Sequence, residues 1–294
     1  MIPGRTCVCT SETRVGYDRQ RRPTMATDQE QTSTAWSDDH GEPQGRRAQR
    51  RAFRRDEILR TALELVTEGG LDALTTTELA RRTGAALGAL YRFFPSKQAV
   101  IAALQVTALE ELGLDLDGAA HAAAARAVGA PAAVAAVVPI VAIADTFFAL
   151  PRLHPARFRL IDEILSKPVP VYDDDDARIL ESTVRPILMN VGSLVRTLAV
   201  TNGRSDADAD ADAESFPLVL WGSLHGITHF IKRDRLSLPG TSQSGDVAGS
   251  LVRLLLLGLG TTPTNLALAI DAAAPRALHM TSTSLAEPEQ MPIQ

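Results

Sequence analysis

The chain has 294 residues, is 45% apolar but only 4% aromatic, and carries a net charge of −5. This allows one or two domains with a sizeable core, and abundant Ala favours helix. No apolar run is expected to reach the roughly 18 residues that span a bilayer, and residues 1–22 lack the apolar centre of a secretory signal. The expectation is therefore a cytoplasmic protein with no membrane partner.

Residues 1–45 are rich in Ser, Thr, Asp, Gln and Pro and show no apolar periodicity. They read as a disordered tail. Cys7 and Cys9, the only cysteines, lie in it without neighbours at metal-ligand spacing. Met25 offers a second candidate start. At Arg46 the composition changes: Arg46, Arg47, Arg50, Arg51, Arg54 and Arg55 crowd together. They read as a basic arm for a DNA backbone, against the plainer reading of a solvated face. The arm leads into a helix with Ile58, Ala62, Leu65 and Val66 at helical spacing, ended by Gly69 and Gly70.

The next stretch, Leu74 to Lys97, predicts two short helices and a tight turn. Thr75 stands three residues before Glu78, the spacing of a capping box in which Glu78 reaches back to the cap. Gly84 supplies the left-handed turn. A second helix is expected from Ala86 to Phe94, with Leu90 and Phe94 inward and Leu87, Gly88, Tyr91 and Arg92 outward. Pro95 stops it and Ser96 can cap another. Such a helix-turn-helix can place its second helix in a DNA major groove.

The residues Leu74, Thr75, Leu79, Ala80 and Gly84, followed by Leu90, Tyr91, Phe94 and Lys97, resemble the LTxxxLAxxxG…LYxxFxxK pattern of TetR-family transcriptional regulators. The resemblance covers residues 50 to 105 and is faint beyond. It implies phosphate contacts from Tyr91 and Lys97, backbone or base contacts from Thr76 and Thr77, and a recognition helix offering Leu87, Gly88 and Arg92. With Arg50, Arg51 and Arg54 these form the expected DNA-binding set; a packing aromatic is the plainer reading of Tyr91. Leu87 and Gly88 have no side-chain donor or acceptor. Base readout must then lean on Arg92, thymine methyl contacts or DNA shape.

Charge divides the chain the same way. Residues 46–104 carry 11 Lys and Arg against 6 Asp and Glu, residues 1–45 carry 5 against 7, and the remainder 14 against 22. Positive charge is concentrated on one small module, where phosphate neutralisation needs it.

After Lys97 a helix is expected to about Gly113, then an Ala- and Gly-rich stretch to Pro131. A buried helix follows over Ala132–Leu150, a turn bracketed by Pro151 and Pro155, and a short helix to Leu165. A Pro- and Asp-rich loop over 167–175 comes next, and a helix over Ala177–Asn202 with a kink at Pro186. The run Ser205–Glu214 alternates Asp with Ala and reads as a solvated acidic loop, since it lacks the Gly turn and terminal Glu of a calcium site. In Phe216–Arg233, Pro217 suits a first helical turn, and Trp221, His225 and His229 recur every fourth residue. Its W-G-x-x-H-G core resembles the WHG C-terminal domain of some TetR-like regulators. Gly222 and Gly226 would admit a neighbouring helix closely. The two His could ligate a metal, but the sequence places no third ligand, so no metal and no cofactor are expected. A last helix, Gly245–Gly258, carries so many Leu that it should be buried, in a dimer interface.

The expectation is an all-α protein: a disordered tail (1–45), a helix-turn-helix DNA-binding domain (46–104), a helical-bundle ligand-binding and dimerisation domain (105–271) and a disordered end (272–294). Phe147, Phe148, Phe158, Met189, Trp221 and His225 are the candidate ligand-binding residues, with core filling as their plainer role. The expected partners are a palindromic double-stranded DNA operator, a second copy, and a hydrophobic small-molecule effector. The resemblance implies a repressor released by that effector, its two heads about 34–36 Å apart. An architectural DNA binder without effector, and an enzyme built on the C-terminal helices, are the competing readings.

Overall fold

The computed structural model describes residues 44–166, 174–230 and 243–280. Most of the expected tail (1–43, with Cys7, Cys9 and Met25), the centre of the Pro- and Asp-rich loop (167–173), the link 231–242 and the last residues (281–294) lie outside the described residues. The described residues form helices with no strand among them, so the chain is all-α.

Helix α1 (Gln44–Ala73) contains the Arg cluster, which is therefore part of the helix rather than an arm leading into it. Its course breaks at Gly70, whose φ of 75° is open to Gly at no steric cost. Helix α2 (Thr76–Thr83) begins at Thr75, whose hydroxyl accepts from the Glu78 N–H at 3.1 Å. Only this half of the expected capping box forms, because the Glu78 carboxylate is taken by Arg81 and Arg82. Gly84 ends α2 at φ 62°. Helix α3 (Leu87–Tyr91) is shorter than expected, though Phe93 and Phe94 N–H still bond back to the Leu90 carbonyl.

Helix α4 (Lys97–Arg126) starts at Ser96, which caps Ala99 N–H, and runs without the expected break at Gly113. One interior Gly costs only about 1 kcal/mol. Leu109, Leu112, Leu116, Ala120 and Ala123 continue the buried stripe past it. At about 1.5 Å per residue α4 is roughly 45 Å long, and it carries the core from the helix-turn-helix into the C-terminal helices.

The expected helix over Ala132–Leu150 is two pieces, α5 (Ala132–Ala135) and α6 (Val138–Leu153), with Pro139 in the first turn of α6. Ala132–Leu153 is long and apolar enough to cross a membrane by length and composition, contrary to expectation, but two thirds of its apolar 18-residue window is buried in the protein interior. Pro151 lies inside α6, and the turn falls at His154. Helix α7 (Pro155–Ser166) and helix α8 (Asp174–Thr201, containing Pro186) follow.

Helix α9 (Asp206–Thr228) absorbs the acidic run expected to be a loop. Ser205 caps it, Asp206 and Asp208 sit in its first turn where the helix dipole favours anions, and Arg196 of α8 pairs with Asp206 and Asp210. Pro217 is thus an interior residue, not a first-turn one. It cannot donate to the carbonyl of Ala213. That oxygen would sit 2.5 Å from a Cβ on Gly192, so the glycine lets α8 close over it.

Helix α10 (Ser244–Gly258) is followed by α11 (Pro263–Ala273), a helix that the sequence pattern did not predict. Of the next residues, expected to belong to a disordered end, Ala277, Leu278 and Met280 are packed in the core. One oxygen of Asp145 on α6 accepts from the N–H groups of Arg276, Ala277 and Leu278, at 3.0, 2.6 and 3.1 Å. Asp145→Ala should destabilise the protein by about 2–3 kcal/mol in urea unfolding, because several backbone donors lose a charged acceptor together. Asp145→Asn, which keeps one oxygen acceptor, should lose less.

Candidate functional site

Two side chains decide which face of α3 meets solvent. Leu90 and Phe94 are both buried, and Leu87, Gly88, Tyr91 and Arg92 are exposed as expected. A Cβ on Gly88 would meet nothing within 4 Å, so this face is open at its centre. Thr77 is exposed and Thr76 half-buried at the start of α2.

The cationic residues divide into two groups. Arg50 and Arg51 are exposed on α1. Arg54 is half-buried: it donates to Glu57 at 2.5 Å and to the Thr83 carbonyl at 3.4 Å, clasping α1 to the last turn of α2. Lys97 donates to the Leu71 carbonyl at 2.9 Å, tying the start of α4 to the end of α1. Both therefore hold the module together in addition to any contact outside it. Sequence reasoning placed Arg55 in the basic cluster but not against Phe94, whose ring centroid lies 5.2 Å from its guanidinium, and it missed Arg82. Arg82 bonds Glu68 of α1 at 2.6 and 2.8 Å and Glu78 at 2.9 Å. The Arg55–Phe94 and Arg82–Glu68 contacts have no local sequence signature, since each depends on the fold, whereas Glu78 and Arg82 stand at i, i+4 and could have been paired from the sequence.

The Glu78 carboxylate is held down to a pKa of about 2 by hydrogen bonds first from Arg81 and then from Arg82. Arg82 in turn keeps its proton more tightly through Glu68 and Glu78.

In the C-terminal helices, a cavity of about 50 Å³ is lined by residues of α4, α6, α8 and α9, among them Leu112, Phe147, Ile187, Val191, Leu220 and Trp221. No charged side chain lines it. Of the six candidate ligand-binding residues only Phe147 and Trp221 meet there. Phe148 is fully buried in the core. Met189 is 67% exposed and lines an open groove with Glu181, Arg185 and Glu214. His225 turns instead to Asp162 of α7, Nε2 to Oδ1 2.8 Å, with the Phe158 ring 5.6 Å from its own. The reason is the helical pitch: four residues separate Trp221 from His225, enough to carry His225 past the cavity to α7. The Trp221 indole N–H is buried without a hydrogen-bond partner among the described residues.

The described residues thus combine a helix-turn-helix, whose second helix has an open face, with a body of helices reached through the long helix α4. Residues 58–104 match the family model for bacterial regulatory proteins of the tetR family. Over 52 residues the chain is 45% identical to the tetracycline repressor protein class C of Escherichia coli, a match that covers 18% of this chain and 24% of that repressor. The chain thus spans about a quarter of the curated relative it matches. A protein of unknown function from Rhodococcus sp. RHA1 shares the fold, with 19% identity and a TM-score of 0.50 over 76% of this chain and 99% of that one. A bacterial regulatory protein in the tetR family from Rhodococcus RHA1 aligns at 16% identity and a TM-score of 0.48, over 71% and 98%. Residues 58–104 thus carry the similarity to bacterial regulatory proteins of the tetR family, and the helices beyond them share their fold with the Rhodococcus protein of unknown function.

The charge network gives a pH test. A carboxyl with a depressed folded pKa contributes stability above its unfolded pKa and loses it as pH falls through the folded value. Glu78 should therefore stay ionised from pH 4.5 down to about 2 in an NMR titration. Replacing Arg81 and Arg82 by Ala should move its midpoint up toward 4.5.

Proposed function

We propose that the protein is a homodimeric, ligand-responsive transcriptional repressor, released from a palindromic operator by a small apolar molecule. The observation that carries the DNA-binding part is the exposed α3 face of Leu87, Gly88, Tyr91 and Arg92, fixed by buried Leu90 and Phe94. Arg50 and Arg51, exposed on α1 of the same basic module, serve as phosphate ligands, joined by Thr76, Thr77, Tyr91 and Lys97. Operator binding puts the working protein in the cytoplasm, with its DNA. Footprinting of the promoters that flank its own gene tests the reading: a protected two-fold site supports it, and equal protection of random DNA contradicts it. On that site, replacing Arg50 and Arg51 by Ala should flatten log K against log salt by about 0.9 for each phosphate no longer neutralised. An unchanged slope would show that neither Arg binds a phosphate.

The dimer reading rests on an apolar surface left uncovered on α9 and α10. Leu218 and Val219 are exposed, and nothing lies within 4 Å of a Cβ on Gly222 or Gly226. On α10, Leu254 is 68% exposed and Leu251 and Leu255 are half-buried, whereas Leu256 belongs to the interior. Helix α10 is thus not buried within one chain, and a second copy related by a two-fold axis would cover it. Leu254→Glu should give monomers by light scattering, with weak operator binding. A dimer of wild-type strength would place the interface elsewhere.

The effector reading rests on the apolar cavity and the unpartnered Trp221 N–H. At about 50 Å³ the cavity is well below the several hundred Å³ that drug-sized ligands occupy, so an effector must part α8 and α9 to enter. It is apolar with one hydrogen-bond acceptor for the indole. A screen of apolar metabolites by operator release should find a ligand whose potency falls about two- to ten-fold in Trp221→Phe, the worth of one hydrogen bond. Equal potency in both proteins would show that Trp221 is a core filler.

A further inference from the structure

The notable cluster outside the DNA-binding face and the cavity lies where α7 meets the end of α9. His225 and His229 are one turn apart on α9, and Asp162 of α7 lies between them. The carboxylate Oδ1 is 2.8 Å from His225 Nε2 and 3.2 Å from His229 Nε2, and the three ligand atoms lie within 4.8 Å of one another. In sequence the two His lack a third ligand; the fold supplies it from a residue 63 positions before His225.

The geometry points to a transition-metal site, with Zn²⁺ as its natural occupant, held by Asp162, His225 and His229 and leaving one coordination position for water or a further ligand. Three observations agree. Ligand atoms of a tetrahedral Zn²⁺ site, at about 2.0–2.1 Å from the ion, stand roughly 3.3 Å apart, so small shifts suffice to close this one. His225 is buried, and although its Nε2 lies close to Asp162 Oδ1, neither atom makes a hydrogen bond of acceptable geometry; both count as buried polar atoms without a partner among the described residues. A buried carboxylate oxygen and imidazole left in that state are costly, and a shared cation satisfies both. Imidazole and carboxylate together also suit Zn²⁺ and its neighbours better than the hard cations, which take oxygen ligands.

Burial, partly opposed by Asp162, lowers the pKa of His225. His229 is half exposed, which gives an ion a path in from solvent. The site also ties together two elements that matter elsewhere. Asp162 is three residues from Arg159, which donates to the Val66 carbonyl of α1 at 3.3 Å. A metal here would fix α7 between the effector-binding helices and the DNA-binding module.

The test uses the full chain freed of metal with chelator, and Cys7→Ser/Cys9→Ser in the same chain to remove the tail thiols as ligands. Calorimetric titration with Zn²⁺ should give one site per chain, and Co²⁺ should give the visible absorption of a four-coordinate site. His229→Ala and Asp162→Asn should each weaken binding at least about ten-fold and abolish the Co²⁺ spectrum. His229 is the safer variant because it is half exposed, and circular dichroism with operator binding would show that each variant is folded. No binding by the thiol-free chain, or equal binding by the thiol-free chain and by folded His229→Ala and Asp162→Asn versions of it, would overturn the proposal.

Discussion

The burial of Leu90 and Phe94 is the constraint from which the DNA-facing side follows. Helix α3 is only five residues long, too short to be stable alone. Its orientation is set by those two anchors and by the turn before it. The turn needs Gly84 in the left-handed region, and Arg54 secures it by donating to the Thr83 carbonyl. With the anchors inward, helical geometry leaves Leu87, Gly88, Tyr91 and Arg92 outward. On that face Leu87 and Gly88 have no side-chain donor or acceptor, and Tyr91 and Arg92 supply its polar groups.

Much of this was legible in sequence because it is local. Capping by Thr75 and Ser96, the Gly84 turn and the i, i+4 pair Leu90 and Phe94 each depend on residues a few positions apart. The failures share the opposite character. The run of Asp and Ala at 205–214 has the composition of a loop, but its first Asp residues sit at a helix N-terminus and meet Arg196 from another helix. The residues after Ala273 have no periodicity, and Asp145, far back in the chain, is what holds them. Gly113 looks like a helix end, yet the buried stripe on both sides of it outweighs its small cost.

The candidate ligand site was less legible for the same reason. Aromatic residues on predicted helices are easy to find, but which of them converge is a matter of helix rotation and crossing. Phe147 and Trp221 face a common cavity; Phe148 fills the core, Met189 faces solvent, and His225 faces Asp162. Helix α7 links these regions. Arg157 pairs with Glu111 and Asp115 on α4, Gln105 of α4 donates to the Leu160 carbonyl, and Arg159 reaches Val66 on α1. On the proposed function, a ligand that displaces α7 or α4 would have a direct mechanical route to the helix-turn-helix, and it would shift operator affinity only to the extent that it prefers one arrangement over the other.

The central claim is that the open face of α3 lies in a DNA groove. Gly88 stands at the middle of that face with open space around it. A chain with Gly88→Cys, and with Cys7 and Cys9 replaced by Ser, can carry a DNA-cleaving iron chelate there. The account predicts cleavage confined to two clusters in the protected operator, one in each half-site and about one helical turn apart. Cleavage spread evenly along the DNA, or none while the protein remains bound, would contradict it.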